Sequence, residues 1–448
     1  MIAFLVALVV VVARAPWHPE SMAASLATAP ESAPAAPVAA TTPASSGQVA
    51  TSASGGNLGG GPQPLRCVVP MPASWRRAMG TPVQMPGVAT HSPYAEIGSW
   101  PIAISATGEV LAFTTARGEN GQVVLVTPER TTRVLYGLPP MWDTLPAKFA
   151  RPDFPTGPYV GAGAVDAKWA VFAVLFDMGE HAGSNVNEGI VAIDLNSGAA
   201  IIVREPLRMD ELGAVAISDP VLWNGAVYWS ETRGSRLFDG MSYHYNGASD
   251  VFRLDLATGA RSTVAAGARL SRDYLGHVYW PAVVGDAVMW RTADGKAHWT
   301  GGQPPSEDSP LTQLRADSTF VQDGSAYAWT AAADSGDPGT QDEIYLVTPQ
   351  TPEPRLIYQV PSDAYPGGSV YLSALSGQYL VFRGYSDDND GSATVVLNLN
   401  TGAGVELDPD SGLTGIASGG VIAFTWDNGN GTDKFAVTRD RELPEVTC

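Results

Sequence analysis

Seven times along the chain a short apolar phrase ending in Phe or Trp follows a tight-turn signal: Leu111-Ala112-Phe113, Ala170-Val171-Phe172, Val227-Tyr228-Trp229, Val288-Met289-Trp290, Tyr327-Ala328-Trp329, Leu380-Val381-Phe382 and Ile422-Ala423-Phe424. The turn signals are Thr107-Gly108, Asp166, Asn224-Gly225, Gly285-Asp286, Asp323-Gly324, Ser376-Gly377 and Ser418-Gly419, each after a short apolar run such as Ile102-Ala103-Ile104 or Val370-Tyr371-Leu372. Such turns between apolar runs predict β-hairpins. A variable loop follows, then a third run (Ile190 to Leu195, Val251 to Leu256, Val395 to Leu399), and Asn196-Ser197-Gly198, Ala257-Thr258-Gly259 and Asn400-Thr401-Gly402 turn the chain into a fourth. Repeats at roughly 40 to 60 residues predict a solenoid or propeller. Four strands in each of seven units make this an all-β chain, a seven-bladed β-propeller of four-stranded antiparallel blades over residues 65–448. Each repeated aromatic then has a structural explanation, as a wedge between neighbouring blades.

The first 64 residues follow a different pattern. Ile2 to Ala13 is an unbroken apolar run, followed by a stretch dominated by Ala, Pro, Ser, Thr and Gly that ends in Gly59-Gly60-Gly61-Pro62. Residues 17–64 are expected to form a disordered spacer, because such a composition buries too little apolar surface to offset its ordering entropy. Residues 1–16 read as a signal peptide or as a truncated membrane anchor; the apolar run is shorter than the roughly 20 residues of a membrane span. Both readings send the remainder across a membrane, to an extracellular or cell-surface location.

The ends of the globular part narrow the picture further. The chain has two cysteines, Cys67 and Cys448. In a ring-shaped fold the two ends meet, so a Cys67–Cys448 disulfide that clamps the closure is expected, in agreement with export. The last blade must borrow its fourth strand from Arg439 to Cys448 or from the segment around Leu65 to Val69. Between that segment and the first blade, Pro72 to Met79 reads as one short helix with Trp75 and Met79 on one face.

Strand pattern and the Asp-Leu-x-x-Gly turns at Asp194-Leu195 and Asp255-Leu256 make the chain resemble the exported propellers that include the TolB-like and quinoprotein-like repeat families, over about residues 100–440. The WD40, sialidase and kelch signatures are missing. The resemblance implies a scaffold and carries no active-site residue with it, since function belongs to the site and not to the fold.

A formal charge of −19 argues against a phosphate backbone or anionic lipid as partner. In a blade whose first strand is innermost, the first and third turns share one face. Here those turns are tight, and nearly all loop length falls on the opposite face, where binding usually sits. That face is acidic: Asp177, Glu180, Glu188, Asp250, Asp334, Asp337, Asp342, Glu343, Asp387, Asp388, Asp390, Asp427 and Asp433 are assigned to its loops. It is read either as a field that attracts a cation or a basic partner or as a solvated surface. The longest insertion, Glu231 to Asp250, holds Tyr243, His244 and Tyr245, which suit stacking on a sugar or clamping a peptide. Trp142 in the first long connection is placed with them. No cofactor is expected beyond calcium, for which Ser386-x-Asp388-x-Asp390-Gly391 resembles the opening of a calcium loop; turn chemistry alone also produces such sequences.

Catalysis finds less support. No Gly-x-Ser-x-Gly elbow occurs and none of the six His residues is spaced for metal ligation with another. Asp219 and Asp273, with His277, are the polar groups expected nearest the channel. Two classes of function stand: a monomeric, exported binding scaffold for an envelope protein or glycan, and an extracellular hydrolase or lyase with carboxylates at the channel mouth.

Overall fold

Every aromatic phrase lies on the second strand of a sheet, and the run before it forms the first strand. In the computed structural model the first blade is β3 (Ser99–Ile104), β4 (Val110–Thr114), β5 (Gln122–Val126) and β6 (Thr132–Gly137). The second is β7 (Tyr159–Val165), β8 (Trp169–Asp177), β9 (Val186–Asp194) and β10 (Ala200–Arg204). The third has a first strand in two pieces, β11 (Val215–Ile217) and β12 (Val221–Trp223), both paired with β13 (Ala226–Arg233), then β16 (Ser249–Asp255) and β17 (Arg261–Ala266). A separate hairpin, β14 (Arg236–Phe238) and β15 (Tyr243–Tyr245), lies between β13 and β16 in sequence. A three-stranded sheet follows: β18 (Ala282–Val284), β19 (Ala287–Arg291) and β20 (Ala297–Trp299). The fourth blade is β21 (Phe320–Gln322), β22 (Tyr327–Ala331), β23 (Glu343–Thr348) and β24 (Thr351–Gln359). The fifth is β25 (Val370–Ser376), β26 (Tyr379–Gly384), β27 (Ala393–Asn398) and β28 (Ala403–Glu406), and the sixth contains β29 (Leu413–Ser418), β30 (Val421–Asp427) and β31 (Thr432–Arg439). The structure describes residues 67–85, 99–114, 121–138, 159–177, 186–205, 215–233, 236–238, 243–245, 249–266, 281–284, 287–291, 297–300, 320–323, 326–331, 343–348, 351–359, 370–384, 393–407, 413–427 and 432–447.

Six blades therefore reach four strands, and the expectation of seven is corrected. The unit around Trp290 has three strands among the described residues. The sequence beyond it, Gly301-Gly302-Gln303-Pro304-Pro305, uses the residue types least suited to a hydrogen-bonded ladder. The first strands touch in a closed cycle, β3 to β7 to β12 to β18 to β21 to β25 to β29 and back to β3. This cycle is the wall of a central channel.

Closure also departs from expectation. The fourth strand of the sixth blade is β2 (Val83–Gln84), paired antiparallel with β31 through Val83↔Phe435. Beyond Arg439, which ends β31, residues 440–447 contribute a short 3-10 turn at Asp440–Glu442 and no strand. The segment around Cys67 is β1 (Cys67–Pro70), which adds a parallel fifth strand to the fifth blade beside β28. Between β1 and β2 the predicted helix forms, α1 (Ala73–Ala78), entered from Pro72, the N-cap, whose backbone is extended (φ −75°, ψ 154°). Trp75 and Met79 are buried against Val381, Val405, Ile422 and Phe424, in the groove between the fifth and sixth blades. The Trp75 indole N–H donates to the Pro444 carbonyl at 2.8 Å, which ties the strap to the chain end. Cys67 opens β1, no cysteine is free among the described residues, and Cys448 lies outside them.

The core lies between blades. Phe113, Phe172, Trp229, Trp329, Phe382 and Phe424 are at most 2% exposed, as wedges must be. Burying each such ring contributes about 1.5–3 kcal/mol.

The tight turns do more than reverse the chain. Asn224 and Gly225 both have positive φ (50° and 68°), the two-residue geometry that matches strand twist. Asp194 Oδ1 accepts the N–H groups of Asn196 and Ser197, and Asp255 Oδ1 accepts the Thr258 hydroxyl and N–H. The Asp-Leu-x-x-Gly phrase is thus an Asx turn closed by a left-handed glycine. Those bonds hold both carboxyls below the usual carboxylate range, led by the Ser197 N–H for Asp194 and by the Thr258 hydroxyl for Asp255.

Candidate functional site

The third blade concentrates the chemistry. Trp229 alternates with Glu231 along β13, so both side chains face the second blade, one in the middle of the interface and one at its loop-rich end. The Glu231 side chain is 1% exposed. An ionised carboxylate so deep must be paired and hydrogen-bonded. Glu231 Oε1 accepts from Trp229 Nε1 at 3.0 Å, from Arg204 Nε at 3.1 Å and from Arg261 Nη2 at 3.3 Å, while Oε2 faces Arg233 Nη2 at 3.4 Å. Arg204 ends β10 of the second blade, so the cluster bridges two blades. The Arg261 guanidinium also lies over the rings of Trp229 and Phe252, 4.9 and 4.6 Å from their centroids. Its stem covers the interface that its charge completes.

Glu231 and Asp250 were expected as the ends of a loop and are instead opposed strand residues, Glu231↔Asp250, with Thr232↔Ser249 beyond them. The loop between β13 and β16 is correspondingly shorter, and the β14–β15 hairpin fills its middle. Tyr243, His244 and Tyr245 form β15, in register with Phe238, Leu237 and Arg236. The same extension places Asp177, Glu188, Glu343, Asp427 and Asp433 on strands, although all had been assigned to loops. Glu343 is held there by the Tyr345 hydroxyl at 2.8 Å.

Asp219 occupies the break between β11 and β12. Ser218 closes the break on one side: its N–H donates to the Ser230 carbonyl and its hydroxyl accepts the Ser230 N–H at 2.8 Å. Pro220, which offers no N–H, follows. The ladder is thereby interrupted at Asp219, on the channel side of the blade. Desolvation of this half-buried carboxyl pushes its pKa up to about 7. A carboxyl that changes charge near neutrality inside a channel wall has the properties of a proton donor or acceptor, or of a neutral hydrogen-bond donor.

Of the other sequence candidates, Trp142, Asp273, Asp388 and Asp390 lie outside the described residues. Among the described residues no group of three or more His, Cys, Asp or Glu side chains could hold a metal ion. The structure brings Asp250 beside Glu231 on the third blade and places Asp219 on that blade's inner strand. Sequence reading missed Glu231, Arg204 and Arg261. The period-two spacing of Trp229 and Glu231 was the available signal, since it puts the carboxylate on the same face as a core aromatic.

No protein-family profile and no curated protein match the chain. Solved structures do. An oligogalacturonate lyase from Vibrio parahaemolyticus shares 13% identity over 80% of this chain and 96% of its own, with a TM-score of 0.48. A second oligogalacturonate lyase structure, in complex with manganese, shares 14% over 82% and 96%, with a TM-score of 0.47. The propeller domain of the Trilobed protease from Pyrococcus furiosus shares 9% over 64% and 84%, with a TM-score of 0.37. These are likenesses of fold, among propeller-containing proteins of different activities.

Proposed function

We propose that the protein is an exported, envelope-associated propeller that binds a protein or glycan on its loop-rich face, with the β14–β15 hairpin as the principal contact. The observation that carries this reading is the Glu231 cluster. Three guanidiniums and an indole N–H converge on Glu231 near the end of β13, and the hairpin follows that strand in the chain, which supports an ordered base for it. A pre-ordered base lowers the entropy lost when a ligand is clamped. Tyr243 and Tyr245 offer stacking area together with a hydrogen-bonding tip. The Cys67–Cys448 disulfide belongs to the same reading, supported by the anchoring of Pro444 on Trp75. Calcium, if bound, sits at Asp388 and Asp390, and an unchanged melting temperature on adding calcium or EDTA removes it from the proposal.

The test is a pull-down from envelope and culture-medium extract at low and high salt, repeated with Tyr243→Ala and Tyr245→Ala. A partner held at low salt, released at high salt and weakened by both substitutions at unchanged melting temperature supports the reading. Retention that ignores both substitutions sinks it.

A second reading is favoured by Asp219. A channel-wall carboxyl with a pKa near 7 suits general acid or base work in a hydrolase or lyase that acts on carbohydrate or peptide. Turnover of a polysaccharide or peptide library by the native chain, lost in Asp219→Asn, would move the weight to this alternative.

A further inference from the structure

On the tight-turn face, opposite the loop-rich face, the strap, the sixth blade and the first blade leave a cleft of about 290 Å3. Its walls come from three distant stretches of sequence: Gly80 and Thr81 after α1, the Thr107–Gly108 and Thr127–Arg130 turns of the first blade, and Thr438, Arg439 and Glu442 at the end of β31. In a chain with a net charge of −19, two arginines at one small cleft stand out. Both are exposed, and among the described residues no ion pair joins either guanidinium to a carboxylate. Arg130 has a φ of 68°, a conformation that costs an L residue energy and that Asn or Gly adopts more readily. The turn thus places an arginine at the cleft where the backbone would favour a smaller residue. Thr81, Thr107, Thr127 and Thr438 line the cleft; the Thr107 and Thr438 hydroxyls donate to Glu109 and to the Ala78 carbonyl, and the Thr127 hydroxyl pairs with that of Thr131. Glu442 is the single carboxylate of the lining, against the two guanidiniums, and one of its oxygens accepts the Arg439 N–H.

We propose that this cleft is a binding site for a small hydroxylated oxyanion, a carboxylate or a phosphate. Arg130 and Arg439 meet the anionic group, since a guanidinium fork matches carboxylate and phosphate oxygens. The exposed Thr81 hydroxyl and the remaining oxygen of Glu442 take the ligand's hydroxyl groups. The volume suits a ligand of about one sugar ring or less. Because the walls belong to the strap and to two blades, the ligand joins the N-terminal strand to both sides of the ring seam. Binding to the closed ring alone raises its stability by mass action.

The experiment titrates the full chain by calorimetry, in low salt, with inorganic phosphate and separately with gluconate, and follows melting temperature in parallel. One-to-one binding of at least one probe is expected, with a rise in melting temperature; the probe that binds identifies the source of the oxyanion. Arg130→Asn, which suits the left-handed backbone, and Arg439→Gln should each weaken binding about tenfold, and neither should lower the melting temperature without ligand. Arg441→Gln, a neighbouring exposed arginine outside the cleft, should leave binding as it is. No heat and no stabilisation from either probe at about 20 mM, far above a useful affinity, overturns the proposal. So does binding that survives both cleft substitutions, or that Arg441→Gln weakens equally.

Discussion

Asp323 Oδ2 accepts the N–H of Gly377 at 2.8 Å, a bond from the first hairpin turn of one blade to the first hairpin turn of the next. The other oxygen, Oδ1, accepts the N–H of Ala326 and closes its own turn. One blade further round, Ser376 Oγ accepts the Gly420 N–H at 2.7 Å. In these two blades the turn that ends the inner strand therefore also fastens its blade to the next. Asp323→Ala removes both bonds and leaves two N–H groups short of a partner, at a cost of about 1–3 kcal/mol for each that stays buried. A clear fall in melting temperature is expected, and a smaller one for Asp323→Asn, whose amide oxygen keeps one acceptor.

Glu231 is a stronger case, because four donors converge on it. Glu231→Ala strands those donors at a blade interface, and breaking such a buried cluster costs about 3–5 kcal/mol. Chemical denaturation should show that loss, whereas Arg233→Ala should cost under about 1 kcal/mol because its side chain is 55% exposed. Equal effects from the two substitutions would mean that Glu231 does not organise the cluster.

The titration of Asp219 makes a signed prediction. Its folded pKa, about 7, lies above the ordinary carboxylate value of 3.8, so the folded protein holds a proton that the unfolded chain releases. The benefit is fully present below about pH 4 and is lost as pH rises through about 7. The wild-type chain should lose stability over that window relative to Asp219→Asn. A parallel pair of stability profiles between pH 4 and pH 8 would show that the carboxyl is solvated and ordinary.

Trp75 tests the strap. It is 1% exposed, meets Tyr379 edge to face at 6.1 Å and donates to Pro444. Trp75→Ala should cost about 3–5 kcal/mol and should raise hydrogen exchange at Val83 and Phe435, where β2 pairs with β31. Trp75→Phe should recover most of the packing and none of the hydrogen bond.

Local chemistry made much of this architecture legible in the sequence. Asn224-Gly225, the Asx turns at Asp194 and Asp255, and the alternation around Phe172 and Trp229 are each set by residues within a few positions of one another. They specify hairpins and a repeated four-strand unit whatever the rest of the chain does. The short helix at Trp75 was legible for the same reason. Tertiary structure alone decided how the ring closes, because β1 and β2 pair with strands more than three hundred residues away. The choice of Val83–Gln84 over the segment near Cys67 depends on where α1 can seat Trp75 between two blades. Burial of Glu231 among arginines from two blades, the raised pKa of Asp219 in the channel wall, and the presence of Arg130 and Arg439 on one cleft at the seam were hidden for one physical reason. Desolvation and charge pairing depend on which surfaces the folded ring brings together, and no spacing along the chain records that.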